Sequence, residues 1–261
     1  MNLKLSIVTV CYNAEQSIEG TIKSILAQTK PIYEYIIVDG GSSDNTMEIV
    51  KRYKDKFEKI NVRYFFKSEP DKGISDAFNK GIRIATGDLI GLINADDELM
   101  PKTNEILSEN YQNEGIIYGN CIWVDSERQM EFVSKPKGTP NQLLYRMTLI
   151  HPSTFVSKSA YQECGVFDIS YKYCMDKELL YRMFRAGKQF KYVDEVFTKF
   201  KAGGISDKHT LAVYRETSRM AIDYGEPKIK VVMIQTIRYI KTKIVNKLKD
   251  TPLYRSLRNA Q

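Results

Sequence analysis

Asn94-Ala95-Asp96-Asp97-Glu98 sets three carboxylates and an amide in five consecutive positions. Adjacent carboxylates repel one another unless a cation lies between them. A hard divalent ion, held by one or two carboxylates and by substrate phosphates, relieves that repulsion. The bland alternative is a solvated acidic turn before a helix that starts near Pro101. Other polar groups recur along the first hundred residues: Asn13, Asp39, Glu69 and Asp71. In the second half, Asp176 and Glu178 head an apolar-periodic segment, and His151 opens His151-Pro-Ser-Thr-Phe155. A carboxylate such as Asp176 can remove a proton from a hydroxyl; equally, it can cap a helix.

These groups share a position relative to the elements around them. Leu5–Tyr12 is a β-branched run that reads as a buried strand, with Asn13 ending it and capping the next helix. Ile18, Ile22, Ile25 and Leu26 give that helix over 15–28. Tyr33–Val38 is a second strand and 39–44 a loop, with Asp44 capping a helix that carries Met47, Ile49 and Val50. Val62–Phe66, a helix over Ile74–Ala85 and a strand over Asp88–Ile93 come after it. The order β-α-β-α-β-α-β predicts a parallel sheet covered by helices. Ligands of such sheets bind beyond the carboxyl ends of the strands, and the polar groups of the first hundred residues lie just after strands. Beyond 115 the expected elements are Gly115–Val124 (a strand pair or one long strand), Glu131–Ser134, a helix over Asp176–Ala186, and two strands, Phe190–Val193 and Val196–Phe200.

The chain has 261 residues, 43% hydrophobic and 27% charged, which excludes wholesale disorder and fibrous repeats. No apolar run approaches the roughly 20 residues of a membrane span, and no secretory signal is seen, which predicts a cytosolic protein. Cys11, Cys121, Cys164 and Cys174 form no CxxC pair and read as buried reduced thiols. Residues 227–261 carry +8, which leaves −1 for residues 1–226 out of the net +7. Met233, Ile237, Ile240, Ile244 and Leu248 lie at helical spacing among Lys230, Arg238, Lys241, Lys243, Lys247 and Lys249. Such an amphipathic helix predicts an anchor on an anionic membrane surface over 228–249, or a helix that packs on the body or on a second subunit.

Four segments in order resemble family 2 glycosyltransferases of the GT-A fold, of the bacterial capsule and lipopolysaccharide type. They are Ser6–Asn13, Val38–Thr46, Glu69–Gly81 and Thr86–Asp97, and the likeness extends over about 1–200. The resemblance implies an α/β GT-A fold with a mostly parallel central sheet, followed by a helical tail. It implies a nucleotide-diphosphate sugar donor, Mg²⁺ or Mn²⁺, and inversion at the anomeric carbon. Val10, Cys11 and Tyr12 fall where the family holds the nucleobase, and Asp39 matches the carboxylate that bonds the base, typically uracil. Asp71 falls in the next donor segment, with Gly73 and Asn79 shaping it. Asn94, Ala95 and Asp96 occupy the family's DxD, and Asp96 is the metal and diphosphate contact. Asn94 departs from the Asp that many members carry.

The resemblance also assigns Asp176 as general base, in Cys174-Met-Asp-Lys-Glu178, with Glu178 as its substitute in another register. His151, Glu178 and Arg182 are expected at the acceptor. Gly203–Ser206 resembles a lid near the donor phosphates, and His209 is a candidate to complete the metal shell. The expected organisation is a nucleotide-sugar half over 1–98, an acceptor and catalytic half over 99–226, and the basic tail over 227–261. The expected activity is hexosyl or N-acetylhexosaminyl transfer from a donor, UDP-linked by preference, to a hydroxyl of a glycan or lipid-linked glycan. That is cell-surface polysaccharide synthesis on the cytoplasmic face of the membrane. Two other classes compete: a nucleotidyltransferase, and a non-catalytic nucleotide-sugar-binding module. The first would show a Gly-rich phosphate loop with a basic residue near the first strand, which 9–16 lacks. The second has no need of Asp39, Asp96 and Asp176 together.

Overall fold

The computed structural model describes residues 3–112, 115–125, 129–201 and 209–249, the last four of these as backbone only. Strands β1 (Leu5–Cys11), β2 (Glu34–Asp39) and β4 (Leu89–Asn94) are buried almost throughout. Their side chains alternate between two apolar cores: Val8 and Val10 of β1 enter one, and Leu5 and Ile7 the other. Strand β3 (Arg63–Ser68) closes the edge and is largely exposed. All pairings among these four strands are parallel. Parallel pairing requires crossovers, and the helices supply them. They are α1 (Ile18–Leu26), α2 (Thr46–Lys51), α3 (Lys54–Lys59) and α4 (Ile74–Ile84). Helix α4 lies close on β1 because Gly81 has no side chain; a Cβ there would overlap Val8.

After β4 come β5 (Glu98–Leu99) and α5 (Thr103–Asn110). Next are β6 (Ile116–Asp125), β7 (Met130–Ser134) and the 3₁₀ turns Pro140–Leu144 and His151–Ser153. Strand β8 (Thr154–Ser157), helices α6 (Lys158–Cys164) and α7 (Met175–Arg185), and β9 (Phe190–Lys201) complete the sheet. The strand order is β3-β2-β1-β4-β8-β6-β9-β5, with β7 added to β6. Here the direction changes: β8 runs antiparallel to both β4 and β6, whereas β6 and β9 are parallel. Of the two readings of 115–124, the structure has the single long strand. One expectation is corrected: the two short strands over 190–200 are a single strand. An irregularity at Tyr118–Cys121 lets β6 follow β9 without a break.

One core lies under α4, α6 and α7, the other under α1, α2, α3 and α5. Two further helices, α8 (Thr210–Asp223) and α9 (Lys228–Lys249), end the described chain. The first core also takes Met220, Ala221 and Val231 from them. Among the described residues no helix is long and apolar enough to cross a membrane. Cys11, Cys121 and Cys174 are buried free thiols and Cys164 is partly so.

At the amino end of β2, Glu34 is buried yet fully engaged. It accepts from Ser6 Oγ at 2.6 Å, Thr86 Oγ1 at 2.9 Å, Gly87 N at 3.1 Å and Thr86 N. Arg63 lies 3.6 Å away. Thr86 and Gly87, part of the fourth segment, therefore brace the sheet at the end opposite Asp39. Removing an acceptor that serves several buried donors costs about 1–3 kcal/mol for each donor left unmet. Glu34→Ala should thus lower the midpoint of thermal unfolding by several degrees. Affinity for nucleotide, measured by titration calorimetry, should stay within about twofold, because the substitution is far from the opposite rim.

Candidate functional site

Asp39 ends β2 and is wholly enclosed (0% exposed). Its Oδ2 accepts from Gly41 N at 3.1 Å, Ser42 N at 2.9 Å and Ser68 Oγ at 2.6 Å. Its Oδ1 accepts from Ser42 Oγ and, at 3.5 Å, from Cys11 Sγ. Burial acts to raise its pKa, but the Ser42 and Ser68 hydrogen bonds outweigh it and hold the carboxyl below the ordinary value. Burial, reinforced by the Asp39 charge, pushes the Cys11 thiol up, so it stays protonated. Cys11 and Val10 are buried, so of the first-strand trio only Tyr12 (65% exposed) offers a surface. Beside it, Gly40 leaves room for a neighbouring carboxylate: a Cβ there would lie 2.5 Å from Asp71 Oδ2 and 3.5 Å from the Tyr12 ring. Asp71 Oδ1 accepts from Gly73 N at 2.7 Å, which shapes the turn into α4. Tyr12, Asp39 and Asp71 therefore converge from three strand ends.

Asn13 does not cap α1. It adopts a positive φ of 48° and joins the two loops instead. Its N–H donates to Ser42 Oγ at 2.7 Å, and its Oδ1 accepts from Ser43 N at 2.9 Å. Asp44 does serve the next helix, accepting from Thr46 N at 3.0 Å, and also from Glu15 N at 3.1 Å. Two functional residues, Ser42 and Ser68, escape the sequence reading. The loop 39–44 holds a signal for Ser42, whereas Ser68 only emerges from the β2–β3 register.

At the end of β4, Asp96 is exposed, while Ala95 and Asp97 are buried. Asp97 accepts from Asn94 Nδ2 at 2.9 Å and Lys201 N at 3.3 Å. Burial, helped by the Asp96 charge, raises its carboxyl to about 7. Asn94 Oδ1 is buried with no partner. Among the described residues no three His, Cys, Asp or Glu side chains group as a ligand set. A divalent ion here would have to draw part of its ligand set from a bound substrate, and Asp96 is the exposed carboxylate on this loop.

Asp176 is the second residue of α7 and partly exposed. Cys174, not Asp176, precedes the helix. One Asp176 oxygen accepts from Lys177 N at 2.7 Å. His151 packs edge-on against Phe78, with ring centroids 5.8 Å apart. Burial lowers its pKa, and the nearby Asp176 carboxylate opposes that shift. Ser75 Oγ lies 2.6 Å from Met175 Sδ, so the start of α4, just after Asp71 and Gly73, touches the start of α7. The Asp71–Ser75 turn and the Asp176 end of α7 are thus neighbours.

Three expected site residues are occupied structurally, and His209 stands apart. Asn79 is buried, its amide spent on Phe167 in both directions at 2.9 Å, which staples α4 to that residue. Glu178 (5% exposed) pairs with Arg182 at 2.9 Å and accepts from Tyr224 OH at 2.8 Å. Arg182 also donates to Val166 O at 2.8 Å and to Cys164 O. Both side chains are thus engaged within the fold. His209 is exposed and packs on Tyr173, with centroids 5.3 Å apart; it joins no ligand group among the described residues. The Gly203–Ser206 segment lies outside the described residues.

The model for "Glycosyl transferase family 2" matches residues 6–167. The uncharacterized glycosyltransferase YibD of Escherichia coli K12 is 35% identical over 104 residues. That match covers 40% of this chain and 29% of YibD, so the chain spans well under half of that relative. The crystal structure of S. aureus TarS 1-349 with UDP-GlcNAc superposes with a TM-score of 0.66 at 15% identity, covering 88% of this chain and 69% of that one. Mannosyltransferase PcManGT from Pyrobaculum calidifontis, in complex with GDP-Man and Mn²⁺, gives 0.63 at 12% identity, covering 98% and 83%. The shared α/β architecture is that of the GT-A fold. With its family model matched over more than half its length, the chain belongs to glycosyltransferase family 2.

Proposed function

We propose that the protein is an inverting glycosyltransferase that moves a sugar from a nucleotide diphosphate, UDP by preference, to a hydroxyl of a glycan or lipid-linked glycan. The observation that carries this reading is the meeting of a nucleotide-type pocket with a free carboxylate on the helix beside it. Tyr12 offers an exposed ring for a base to stack on. A ring N–H of that base replaces a serine hydroxyl as donor to Asp39. Asp71 lies across Gly40 from that carboxylate's loop. The same fold holds UDP-GlcNAc in TarS and GDP-Man with Mn²⁺ in PcManGT, which supports a nucleotide-sugar donor.

Asp176 removes the proton from the acceptor hydroxyl as its oxygen attacks the anomeric carbon from the face opposite the diphosphate. The new C–O bond forms, the bond to the diphosphate breaks, and the anomeric centre inverts. Burial lowers the pKa of His151, which packs near Asp176. Asp96 would hold a divalent ion, which when bound would neutralise charge on the departing diphosphate. Residues 1–98 serve the donor and 99–226 the acceptor.

The tail helix supports action at a membrane surface. One face of α9 docks on the body. Val231 is buried, Gln235 Nε2 donates to Tyr145 O at 3.2 Å, and Arg238 donates to the same carbonyl. Tyr214 OH lies 2.8 Å from Thr242 Oγ1. The opposite face exposes Ile229, Met233, Ile237, Ile240 and Ile244. Exposed Lys228, Lys230, Lys241 and Lys243 flank that stripe. The side chains of Lys247, Leu248 and Lys249 lie outside the described residues. An apolar stripe edged by lysines matches an anionic leaflet. The docked and exposed faces are different faces of one helix, so packing on the body and contact with lipid are compatible.

Asp176→Asn should leave donor affinity within a few-fold and lower transfer by roughly 10²–10⁴. Transfer rates with UDP- and GDP-sugars check this, and near-normal transfer by the variant would remove Asp176 from the mechanism. In the full chain, Ile237→Asp with Ile240→Asp should abolish co-sedimentation with phosphatidylglycerol vesicles and leave the unfolding midpoint unchanged. Raised salt should weaken the wild-type association, because screening shortens the reach of the lysines.

A further inference from the structure

Across the β7-β6-β9 part of the sheet, three aromatic residues stand in one row. Trp123 on β6 is paired with Phe132 on β7 and with Phe200 on β9. Partners directly opposite on adjacent strands point to the same face. The Trp123 and Phe200 rings do so, with centroids 4.8 Å apart at 49°. Trp123 and Phe200 are half-buried and Phe132 is 36% exposed. Lys199 and Glu131, which alternate with the row, join at 2.9 Å on the reverse face.

The row lies on the catalytic side of the sheet. Two residues before it, Cys121 and Thr198 are paired and share its face. Thr198 Oγ1 is 2.5 Å from Ser153 Oγ, in the 3₁₀ turn that presents His151. One residue beyond Phe200, Lys201 N–H donates to Asp97, next to Asp96. The row therefore begins where the His151 turn ends and stops beside the Asp96 loop. It is far along the sheet from the Tyr12 and Asp39 rim, with β1, β4 and β8 in between.

Trp123, Phe200 and Phe132 each leave part of their ring surface accessible, which gives a flat apolar face at this end of the sheet. The electron-rich ring faces attract the slightly positive C–H groups that line one side of a pyranose ring, and the flat shape matches it. We propose that Trp123, flanked by Phe200 and Phe132, is the platform on which the saccharide ring of the acceptor stacks. The stacked ring presents its hydroxyl toward Asp176. This assignment rests on the glycosyltransferase reading above, and it names an acceptor with a sugar at its reacting end in preference to a bare lipid or protein hydroxyl. Trp123 is a positioning residue: it orients the ring and takes no part in proton transfer.

The chain has one tryptophan, so its emission reports on the platform directly. The full-length protein with UDP bound is titrated with the methyl β-glycosides of glucose, galactose, mannose and N-acetylglucosamine. At least one should give a saturable change in intensity or wavelength. With that glycoside as acceptor, Trp123→Ala should raise KM about tenfold or more, with kcat within about threefold of wild type. Trp123→Phe, which keeps a ring, should restore KM to within about threefold. Should Trp123→Ala fail to fold, Phe132→Ala at the exposed end of the row gives the same readout. The proposal is overturned if no glycoside perturbs the emission, or if KM is unchanged in the alanine variants. Hydrolysis of UDP- and GDP-sugars by the wild type separates the two levels. If no donor is cleaved, the glycosyltransferase reading fails and takes the platform with it. If a donor is cleaved but the platform tests are negative, the row only packs.

Discussion

A buried carboxylate at the end of a parallel strand is the constraint on which the pocket depends. Asp39 has no accessible surface, and an ionised carboxyl in that position must be met by donors or lose its charge. The donors come from three directions: Cys11 at the end of β1, the Gly41–Ser42 loop after β2, and Ser68 at the end of β3. Meeting the charge therefore ties three strand ends together. Asn13 extends the tie by bonding both Ser42 and Ser43. With the loop held down, Tyr12 is pushed outward and Asp71 is received over Gly40. The residue we propose as the base contact thus also organises the loops around it.

A second tie joins the Asp39–Asp71 rim to α7. The Ser75–Met175 contact and the Asn79–Phe167 pair of hydrogen bonds clamp α4 against the segment leading into α7. Glu178, Arg182 and Tyr224 then lock α7 to the residue that ends α8 and to the 164–166 turn. Glu178 is thereby occupied, and Asp176, the carboxylate we propose as the base, lies beside His151, whose pKa burial lowers. Rigid support of this kind is what positioned proton transfer by Asp176 would require.

Much of this was legible in the sequence because the first ninety residues obey local rules. Leu5–Cys11 and Leu89–Asn94 are apolar on both faces, as fully buried parallel strands must be, and their ends carried the polar groups. What escaped were features set by register and tertiary contact. Ser68 is an ordinary strand-end serine until β3 pairs with β2. Asn79, Glu178 and Arg182 have the polarity of ligand-binding residues, yet their partners are backbone and side-chain groups that the fold, not the local sequence, brings to them. The single strand over 190–201 read as two because Asp194-Glu195 interrupts its apolar pattern; those residues face the β6 irregularity at Asn120. The apolar stripe of the tail was readable from spacing. That the helix docks by its other face depended on Tyr145 and Tyr214, which no periodicity in the tail reveals.

The most direct test of the account is titration calorimetry of UDP, with Mn²⁺ present, against the wild-type chain and Asp39→Asn. The amide preserves shape but cannot accept five donors as a carboxylate does. The account predicts saturable binding of UDP by the wild type, weakened at least about tenfold in the variant, with both proteins folded by circular dichroism. Equal affinity of the two proteins for UDP, or no nucleotide binding by the folded wild type, would contradict it.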